Sequence, residues 1–401
     1  MNGLQRVRIL RTDHIEMLVL LSVVSALFVA AAQAQTFSVI HSFTGGADGQ
    51  SPAAGLAMDS AGNFYGTASV VFKLRNSGNG WILTPLYNFG SAITTGQVIV
   101  GPNGTLYGTN PDGGYYQGGC WEYGCGIAFN VQPSPTVCAS VPCNWNETSL
   151  YTWTDYGEST PNNGIVFDPV GNLYGTTLLN TVFELSPSGG GWTFNIIHAF
   201  DGQDGAVPYS GVIRDSSGNL YGTTATDGPY GYGTVYRLTP SGSGWNINLL
   251  YAFQDGSDGA APIGGLVFDN QGNLYGTTAE GGSGGPSGGG TVFKLTPADG
   301  SWTLTTLHSF TGMGGPYASL AIDAAGNLYG TTYRDGADGY GSVFKLTNSG
   351  GSWTYTDLHD FTAYDGCYPK GNITLDAQDN LYSTASACGE YQRGVIWEIM
   401  Q

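Results

Sequence analysis

A short segment centred on Tyr-Gly occurs seven times along this chain of 401 residues, and this repetition limits the fold more than any other feature. In each copy a tight turn leads into a segment of the type Leu-Tyr-Gly-Thr. The seven tyrosines are Tyr65, Tyr107, Tyr174, Tyr221, Tyr275, Tyr329 and Tyr382. Because they recur about every 50 residues, in units rich in glycine and β-forming residues, the sequence predicts an all-β protein, a β-propeller with one repeat per blade.

Each repeat contains four short strand-like segments, which we call strands A to D. In the fifth repeat they are residues 265–269, 273–278, 291–295 and 302–310, separated by turns or loops. Polar and apolar residues alternate along the third segment, as expected for a strand with one buried face. The pattern therefore predicts blades of four strands.

The two ends of the repeat region complement each other. After residue 34 the chain begins with a strand D (residues 36–43), and it finishes with a strand C (residues 394–399). We expect the last blade to combine residues 370–400 with residues 36–43, which closes the ring and leaves no open strand edge. This predicts a closed seven-bladed propeller rather than an open solenoid, formed by a single domain over residues 35–401.

Residues 1–34 have the pattern of a secretory signal peptide. Three arginines precede an apolar run over residues 17–32, and residues 32–34 read Ala-Gln-Ala, a small-x-small cleavage site. The alternative is an uncleaved membrane anchor, but the apolar run is shorter than the roughly 20 residues needed to span a bilayer. We therefore predict a secreted protein, extracellular or periplasmic, without a membrane span after signal removal.

The charge balance is strongly acidic. The chain has 12 Lys and Arg against 30 Asp and Glu, a net charge of −18, and removal of the predicted signal changes this to −19. A nucleic-acid-binding protein needs a basic surface, so this class of partner is excluded. The balance favours a protein that stays monomeric and whose partners, if any, are cationic.

An aspartate recurs at the end of strand A, in a turn of the type Asp-x-x-x-Asn. A metal site is one interpretation, but an Asp at the start of a tight turn also accepts hydrogen bonds from backbone amides two residues on. Six copies of one turn favour the structural interpretation. The six residues are Asp59, Asp168, Asp215, Asp269, Asp323 and Asp376.

The histidines of the repeat region also share one position, in strand D. Other repeats carry tyrosine there, so we expect the histidines to be packed between blades rather than to act as bases or metal ligands. The histidines are His41, His198, His308 and His359, and the tyrosines are Tyr87, Tyr151 and Tyr251.

The D–A and B–C connections of a propeller emerge on one face, here called the loop face, and the A–B and C–D turns emerge on the other, the turn face. The loop face carries many acidic and aromatic residues, and its basic residues are Arg334, Lys370 and Arg393. Aromatic rings stack on sugars and carboxylates accept their hydroxyl protons, so the pattern predicts a polysaccharide or a cell-surface partner. The predicted ligand-binding residues are Tyr115, Tyr116, Trp121, Tyr230, Tyr232, Tyr333, Tyr340, Asp201, Asp204, Asp255, Asp258, Asp335 and Asp338.

Three alternatives to a binding module remain open at this stage. The same loop carboxylates are compatible with a carbohydrate-active enzyme, a glycoside hydrolase or a polysaccharide lyase. A passive structural surface protein is another, and a solvated loop surface whose tyrosines only cover blade ends is the third. No residue is distinctive enough to be assigned as catalytic, so we favour a protein that is not an enzyme.

The sequence indicates no organic cofactor. Calcium is the one metal ion that it suggests as a candidate. Three loop segments of the type Asp-Gly-x-Asp-Gly begin at Asp201, Asp255 and Asp335 and pair carboxylates closely. Ca²⁺ takes six to eight oxygen ligands, but none of these segments has the order of a twelve-residue EF-hand loop.

All six cysteines follow the predicted signal, and an even number in an exported protein predicts disulfides. Each has a partner close in the predicted blade map, so a catalytic thiol is disfavoured. Of the fifteen connectivities we predict Cys120–Cys125, Cys138–Cys143 and Cys367–Cys388.

One basic residue interrupts a strand A. Arg214 stands where other repeats carry apolar residues such as Phe268 and Ile322. It could face the central channel and meet an anion there, or form an ion pair with a buried carboxylate. We favour the structural ion pair.

The complete motif resembles the GloVer tandem repeat of exported bacterial proteins, named after Gloeobacter and Verrucomicrobia. The resemblance covers residues 36–401 and is most specific at residues 274–278, 291–297 and 307–310, whereas the second and seventh repeats depart from it. It implies an exported repeat protein and no defined activity. Strands A and B also look like those of NHL-type propellers, a weaker resemblance.

Overall fold

The computed structural model describes residues 35–90, 96–114, 124–133, 145–154, 160–285 and 288–401. These residues form seven antiparallel four-stranded sheets arranged as the blades of a ring. Each of seven clusters of buried apolar side chains includes residues from neighbouring blades, so the core lies between the sheets. The predicted seven-bladed β-propeller is confirmed.

Strands A and B form the inner half of each blade, and strand A is only two residues long in six of the seven. The A strands of blades 1 to 7 are Ala57–Met58, Ile99–Val100, Pro161–Phe167, Ile213–Arg214, Val267–Phe268, Ala321–Ile322 and Thr374–Leu375. The B strands are Phe64–Thr67, Leu106–Asn110, Leu173–Thr177, Leu220–Thr224, Leu274–Thr278, Leu328–Thr332 and Leu381–Ala385.

Strands C and D form the outer half and are longer. The C strands of blades 1 to 7 are Val70–Asn76, Ile127–Gln132, Thr181–Ser188, Thr234–Ser241, Thr291–Ala298, Ser342–Ser349 and Val395–Met400. The D strands are Trp81–Asn88, Asn146–Thr152, Gly191–Ala199, Gly244–Ala252, Ser301–Ser309, Ser352–Asp360 and, for blade 7, Thr36–Ser42. A 3₁₀ turn, Pro102–Gly104, occupies the A–B connection of blade 2.

The first described strand closes the ring. Strand D of blade 7 runs antiparallel to strand C, with Phe37 opposite Ile399 and Val39 opposite Trp397. The Phe37 ring also stacks on the His359 ring of blade 6, with centroids 3.6 Å apart. The N-terminal strand therefore completes the blade that the C-terminal strands begin, as the sequence predicts.

The glycine of the Tyr-Gly signature makes room for an aromatic ring. Gly276 in strand B pairs with Phe293 in strand C, and a Cβ on Gly276 would lie 2.6 Å from the ring carbon Cζ of Phe293. The Phe293 side chain is fully buried. A larger residue at the glycine would thus displace the central aromatic of the blade.

The tyrosine of the signature is tied to the recurring aspartate. One carboxylate oxygen of Asp269 accepts the backbone N–H groups of Gln271 and Asn273, at 2.8 and 2.9 Å. The other accepts the Asn273 side chain and the Tyr275 hydroxyl, at 2.6 and 3.1 Å. Burial alone would raise the pKa of Asp269, but these hydrogen bonds outweigh it and lower the pKa. The structural interpretation of this turn is confirmed.

A threonine of strand B links most blades to the next one. The Thr277 hydroxyl donates to the carbonyl oxygen of Ala318, which precedes strand A of the following blade, at 3.2 Å. The equivalent bonds run from Thr67 to Gly96, Thr176 to Ser210, Thr223 to Gly264 and Thr384 to Ala54. The last of these crosses the closure between blades 7 and 1.

Candidate functional site

The central channel contains a pocket toward the loop face. The chain segments that lead into, or form, strand A of all seven blades contribute to its wall, and its volume is about 220 Å³. Pockets that enclose a drug-sized ligand occupy roughly 300–1,000 Å³. The pocket therefore suits one end or one unit of a ligand rather than a whole large molecule.

Polar side chains on one side of the pocket are linked by hydrogen bonds across several blades. The Asn372 amide donates to Gln97 Oε1 at 2.9 Å, and the Gln97 amide donates to the Leu56 carbonyl oxygen at 3.0 Å. Asn372 Oδ1 accepts the backbone N–H of Ser319 at 2.8 Å, and Ser319 Oγ accepts that of Gly265 at 2.9 Å. These side chains are held in place before any ligand arrives.

Three tyrosines and two basic residues meet at the pocket, and we call them the tyrosine–cation cluster: Tyr317, Tyr333, Arg334, Tyr368 and Lys370. The Tyr333 ring centroid lies 4.7 Å from that of Tyr317 and 5.1 Å from that of Tyr368. The Arg334 guanidinium lies 5.3 Å from the Tyr333 centroid and 5.2 Å from that of Tyr368, and Lys370 Nζ lies 5.0 Å from the Tyr333 centroid. Tyr317 and Lys370 line the pocket itself.

Main-chain hydrogen bonds fix the loops that carry this cluster. The N–H groups of Tyr333 and Arg334 donate to the carbonyl oxygens of Gly315 and Gly314, at 3.0 and 2.8 Å. The Tyr368 N–H donates to the Tyr340 carbonyl oxygen at 2.8 Å. The D–A and B–C loops of blade 6 are thus joined to each other and to the D–A loop of blade 7.

Burial changes the acidity of one member of the cluster. It raises the pKa of the Tyr317 hydroxyl, and the nearby Tyr333, Glu280 and Tyr209 add to the rise. Tyr317 therefore stays protonated at neutral pH and can donate one hydrogen bond as well as offer a ring face.

The predicted ligand-binding tyrosines have different surroundings. Tyr333 belongs to the cluster, and the Tyr340 ring lies 6.3 Å from that of Tyr368. Tyr230 and Tyr232 lie in the B–C loop of blade 4 and are 56% and 41% exposed. The other three predicted aromatics, Tyr115, Tyr116 and Trp121, lie outside the described residues.

Two of the predicted ligand-binding aspartates are used within their own loops. The Asp204 carboxylate bonds to the His198 ring at 2.7 Å and accepts the Asp201 N–H at 3.1 Å. The Asp258 carboxylate accepts the Tyr251 hydroxyl at 3.0 Å and two backbone N–H groups. The hydrogen bonds of these carboxylates hold the D–A loops in shape. Sequence reasoning missed this structural role.

The other predicted aspartates are less engaged. Asp201 Oδ1 accepts the Gln203 N–H at 2.9 Å, and Asp255 has a left-handed backbone with φ of 58°. Asp335 follows Arg334 directly, and Asp338 is exposed at the surface. A ligand-binding role for these side chains stays a prediction.

The histidines of strand D pack at blade borders. The His308 ring stacks on Tyr355 of the next blade, with centroids 4.3 Å apart, much as His359 stacks on Phe37. His41 and His359 each also bind an aspartate of the following loop, Asp48 and Asp365, at 3.1 Å. The expected packing role is therefore observed for these side chains.

The predicted disulfide between Cys367 and Cys388 is present, with a Cα–Cα distance of 5.4 Å. It ties the D–A loop of blade 7 to the B–C loop of the same blade, next to Tyr368. Cys125 is buried and also disulfide-bonded. The predicted pairs Cys120–Cys125 and Cys138–Cys143 include three residues outside the described part of the chain.

The expected ion pair at Arg214 is wrong. Its guanidinium donates to the main-chain carbonyl oxygen of Asp215 at 3.3 Å, and none of the ion pairs between described side chains includes it. Strand A of blade 4 ends at Arg214, so the side chain can turn back onto the A–B turn instead of facing a carboxylate.

The described ranges contain neither a cluster of metal-binding side chains nor a helix that could span a membrane. There, no group of three or more His, Cys, Asp or Glu side chains is placed to hold a metal ion, and calcium binding stays a prediction. Within the same ranges no helix has the length and apolar character needed to cross a membrane.

Sequence reasoning placed Arg334, Lys370 and Tyr333 on the loop face but did not bring them together. It missed Tyr317, although Tyr317 lies four residues before strand A of blade 6, just as Lys370 lies four residues before strand A of blade 7. Because all seven A strands surround the channel, the last residues of the D–A loops are the ones that reach its mouth. That position in the repeat was the available signal.

Comparison with known proteins supports the fold and the family. No curated protein sequence matches the chain significantly. Similar solved structures include a streptogramin B lyase, 15% identical over 91% of this chain and 97% of the lyase, with a TM-score of 0.59. They also include a catalytically inactive virginiamycin B lyase from Staphylococcus aureus with quinupristin, 14% identical over 92% of this chain and 99% of the lyase, with a TM-score of 0.58.

At such identities these structures show a shared fold only. The family relationship comes from the repeats themselves, and it agrees with the resemblance seen in the motifs. The Gloeobacter/Verrucomicrobia repeat matches residues 178–397, more than half of the chain, and the protein therefore belongs to this repeat family.

Proposed function

We propose that this protein is an exported binding module that holds an extracellular polysaccharide at the mouth of its channel. The observation that carries the proposal is the tyrosine–cation cluster beside a pocket lined by Asn372, Gln97 and Ser319. Tyrosine rings offer apolar faces to a sugar ring, and fixed amide groups offer donors and acceptors to its hydroxyl groups.

The state of the loop carboxylates favours binding over turnover. A glycoside hydrolase places two carboxyl groups about 5–10 Å apart on either side of the scissile bond. Asp204 and Asp258 instead bond to side chains of the preceding strand D and to backbone N–H groups of their own loops. The described lining of the pocket includes no Asp or Glu. Two alternatives to a binding module remain, a carbohydrate-active enzyme and a passive surface protein. An assay has to distinguish each of them from the binding function.

Export is part of the proposal. Disulfides form and persist in oxidising compartments, and the Cys367–Cys388 bond is of that kind. Residues 1–34 supply the expected signal peptide. N-terminal sequencing of protein recovered outside the cytoplasm should begin at Gln35, and an intact Met1 would contradict cleavage.

A polysaccharide array tests the binding function. The array is probed with residues 35–401, with and without Ca²⁺ or EDTA, and both retention of the protein and release of reducing ends are measured. Two variants, Tyr333→Ala and Tyr317→Ala, remove rings of the cluster. The control, Tyr364→Ala, removes a loop-face ring that is 89% exposed.

We expect retention without product, lost in the two cluster variants and kept in the control. Release of product would overturn the proposal in favour of an enzyme. Neither retention nor product would overturn it in favour of a structural surface role. Equal loss in the control would show that the binding surface lies elsewhere on the loop face.

A further inference from the structure

Three lysines of the described chain lie within the blades, away from the pocket. Lysines of strand C lie over tyrosines of strand B in the same blade, with ammonium-to-centroid distances of 5.1–5.5 Å. The pairs are Lys73 with Tyr65, Lys294 with Tyr275 and Lys345 with Tyr329. None of these three lysines lines the pocket in the channel, so they are not placed to meet a ligand there.

Arg334 and Lys370 differ from them. Both are exposed, and within the described part of the chain neither forms an ion pair or a side-chain hydrogen bond with an acceptor. Aromatic rings hold them in place, because both lie about 5 Å from the Tyr333 ring centroid. Ring contacts fix a cation without using its N–H donors, so the donors stay available.

The pocket next to them is positively charged in an acidic protein. Of the described residues that line it, Lys370 is the only charged one, although the whole chain carries a net charge of −18. The guanidinium of Arg334 is planar and presents paired donors that match a carboxylate. A neutral sugar has no need of two unpaired cations at this position.

We infer that the pocket takes the carboxylate of an acidic sugar, so that the ligand is a polysaccharide containing uronic acid. Lys370 and Arg334 bind the carboxylate, the Tyr333 and Tyr317 rings contact the sugar ring, and Asn372 bonds to its hydroxyl groups. This inference rests on the proposed function and deepens it, since it names the class of ligand that the same site recognises.

Two acidic residues also lie near this site. Glu280 lies close enough to influence the pKa of Tyr317, and Asp335 follows Arg334 in the chain. At 0.15 M salt the screening length is about 8 Å, so charges beyond that distance act weakly on a ligand in direct contact with two cations. The assay therefore belongs at that ionic strength.

Calorimetric titration with paired ligands tests the inference. Residues 35–401 are titrated with an oligogalacturonate and with its fully methyl-esterified counterpart, which has the same length and no negative charge. The variants are Arg334→Gln and Lys370→Gln, and Lys345→Gln is the matched control because Lys345 lies over a strand B tyrosine away from the pocket. Melting temperatures confirm that each variant is folded.

We expect the uronate to bind at least about tenfold more weakly after methyl esterification or in either cluster variant, and with unchanged affinity in the control. A tenfold change corresponds to about 1.4 kcal/mol. Equal affinity for both ligands would overturn charge recognition while leaving the polysaccharide function intact. Equal loss in Lys345→Gln would overturn the assignment of these two cations.

Free galacturonate separates the two proposals. If it binds in a way that depends on Arg334 and Lys370 while no polysaccharide is retained, the anion site stands and the polysaccharide function fails. If neither free galacturonate nor the oligosaccharides bind, the uronate inference is overturned, whereas the polysaccharide function is still decided by retention on the array.

Discussion

At the scale of single residues, blade 4 carries a tyrosine at the position where five blades carry the central phenylalanine. Tyr236 stands in strand C of blade 4, where blades such as the fifth carry Phe293, and it is fully buried. A buried hydroxyl normally has a hydrogen-bond partner, but within the described structure that of Tyr236 has none. The hydroxyl is therefore a cost that the five blades with phenylalanine avoid.

Tyr236→Phe should raise the free energy of unfolding, by up to about 1–3 kcal/mol, because it removes an unsatisfied buried group. Tyr275→Phe makes the same chemical change where the hydroxyl donates to Asp269, and it should lower that free energy by about 1 kcal/mol. Urea denaturation of both variants measures the two effects. A loss of stability in Tyr236→Phe would mean that the hydroxyl has a partner.

The ionised carboxylate of Asp357, in strand D of blade 6, destabilises the folded state at neutral pH. Burial raises the pKa of its carboxyl to about 6, and the negative charge of Asp360 adds to the rise. An unfolded aspartate titrates near 3.9, so the folded state binds the proton more tightly. The cost is fully present above pH 6 and fades as the pH falls from about 6 to about 4.

Asp357→Asn should therefore raise the melting temperature at pH 8, because it removes the unfavourable negative charge. The expected rise is only about 1–2 °C, because solvent screens much of this charge. At pH 3 the same variant should have the melting temperature of the wild type, since Asp357 is then mostly protonated in both the folded and the unfolded state. Thermal melts at the two pH values give the comparison. An equal gain at both would contradict an electrostatic cause.

At the scale of elements, the threonine of strand B forms an interblade hydrogen bond in some blades and not in others. Thr277 donates to the next blade, whereas the hydroxyl of Thr331 at the same position of blade 6 is buried and, in the described structure, unpartnered. The border between blades 6 and 7 thus lacks a bond that five other borders have.

Thr277→Val should lower the free energy of unfolding by about 1 kcal/mol, because the Ala318 carbonyl oxygen loses its donor. Thr331→Val removes a hydroxyl with no partner and should leave the stability unchanged or slightly higher. Chemical denaturation of the two variants, which differ only in blade, provides the measurement. Equal losses would show that the threonine acts through shape rather than hydrogen bonding.

The elements that repeat are also those that could be predicted from the sequence. The Asp269 turn and the Gly276–Phe293 pairing belong to the repeated unit. The closure of the ring follows from chain ends that complement each other, so the sequence pattern alone predicts these features. The candidate site is different, because Tyr317 and Lys370 come from loops whose convergence depends on how the ring closes. Their contacts join blades 6 and 7, which no local pattern encodes.

At the scale of the whole molecule, ring closure depends on one N-terminal strand. Thr36–Ser42 supplies the outer strand of blade 7, and Phe43, just beyond it, is fully buried in a cluster with Leu56 and Phe72 of blade 1. The same segment therefore joins blade 7 to both of its neighbours, through Phe37 on one side and Phe43 on the other.

Removing this strand should destabilise the entire ring rather than one blade. A chain of residues 44–401 exposes the edge of Val395–Met400 and loses the burial of Phe43, which alone contributes about 1.5–3 kcal/mol. We expect a lower melting temperature and a tendency to aggregate. A synthetic peptide of residues 35–43 should raise the melting temperature in a concentration-dependent way, because it binds the folded state only. A peptide of the same composition in scrambled order is the control. If residues 44–401 melt at the same temperature as residues 35–401, the N-terminal strand does not hold the ring closed.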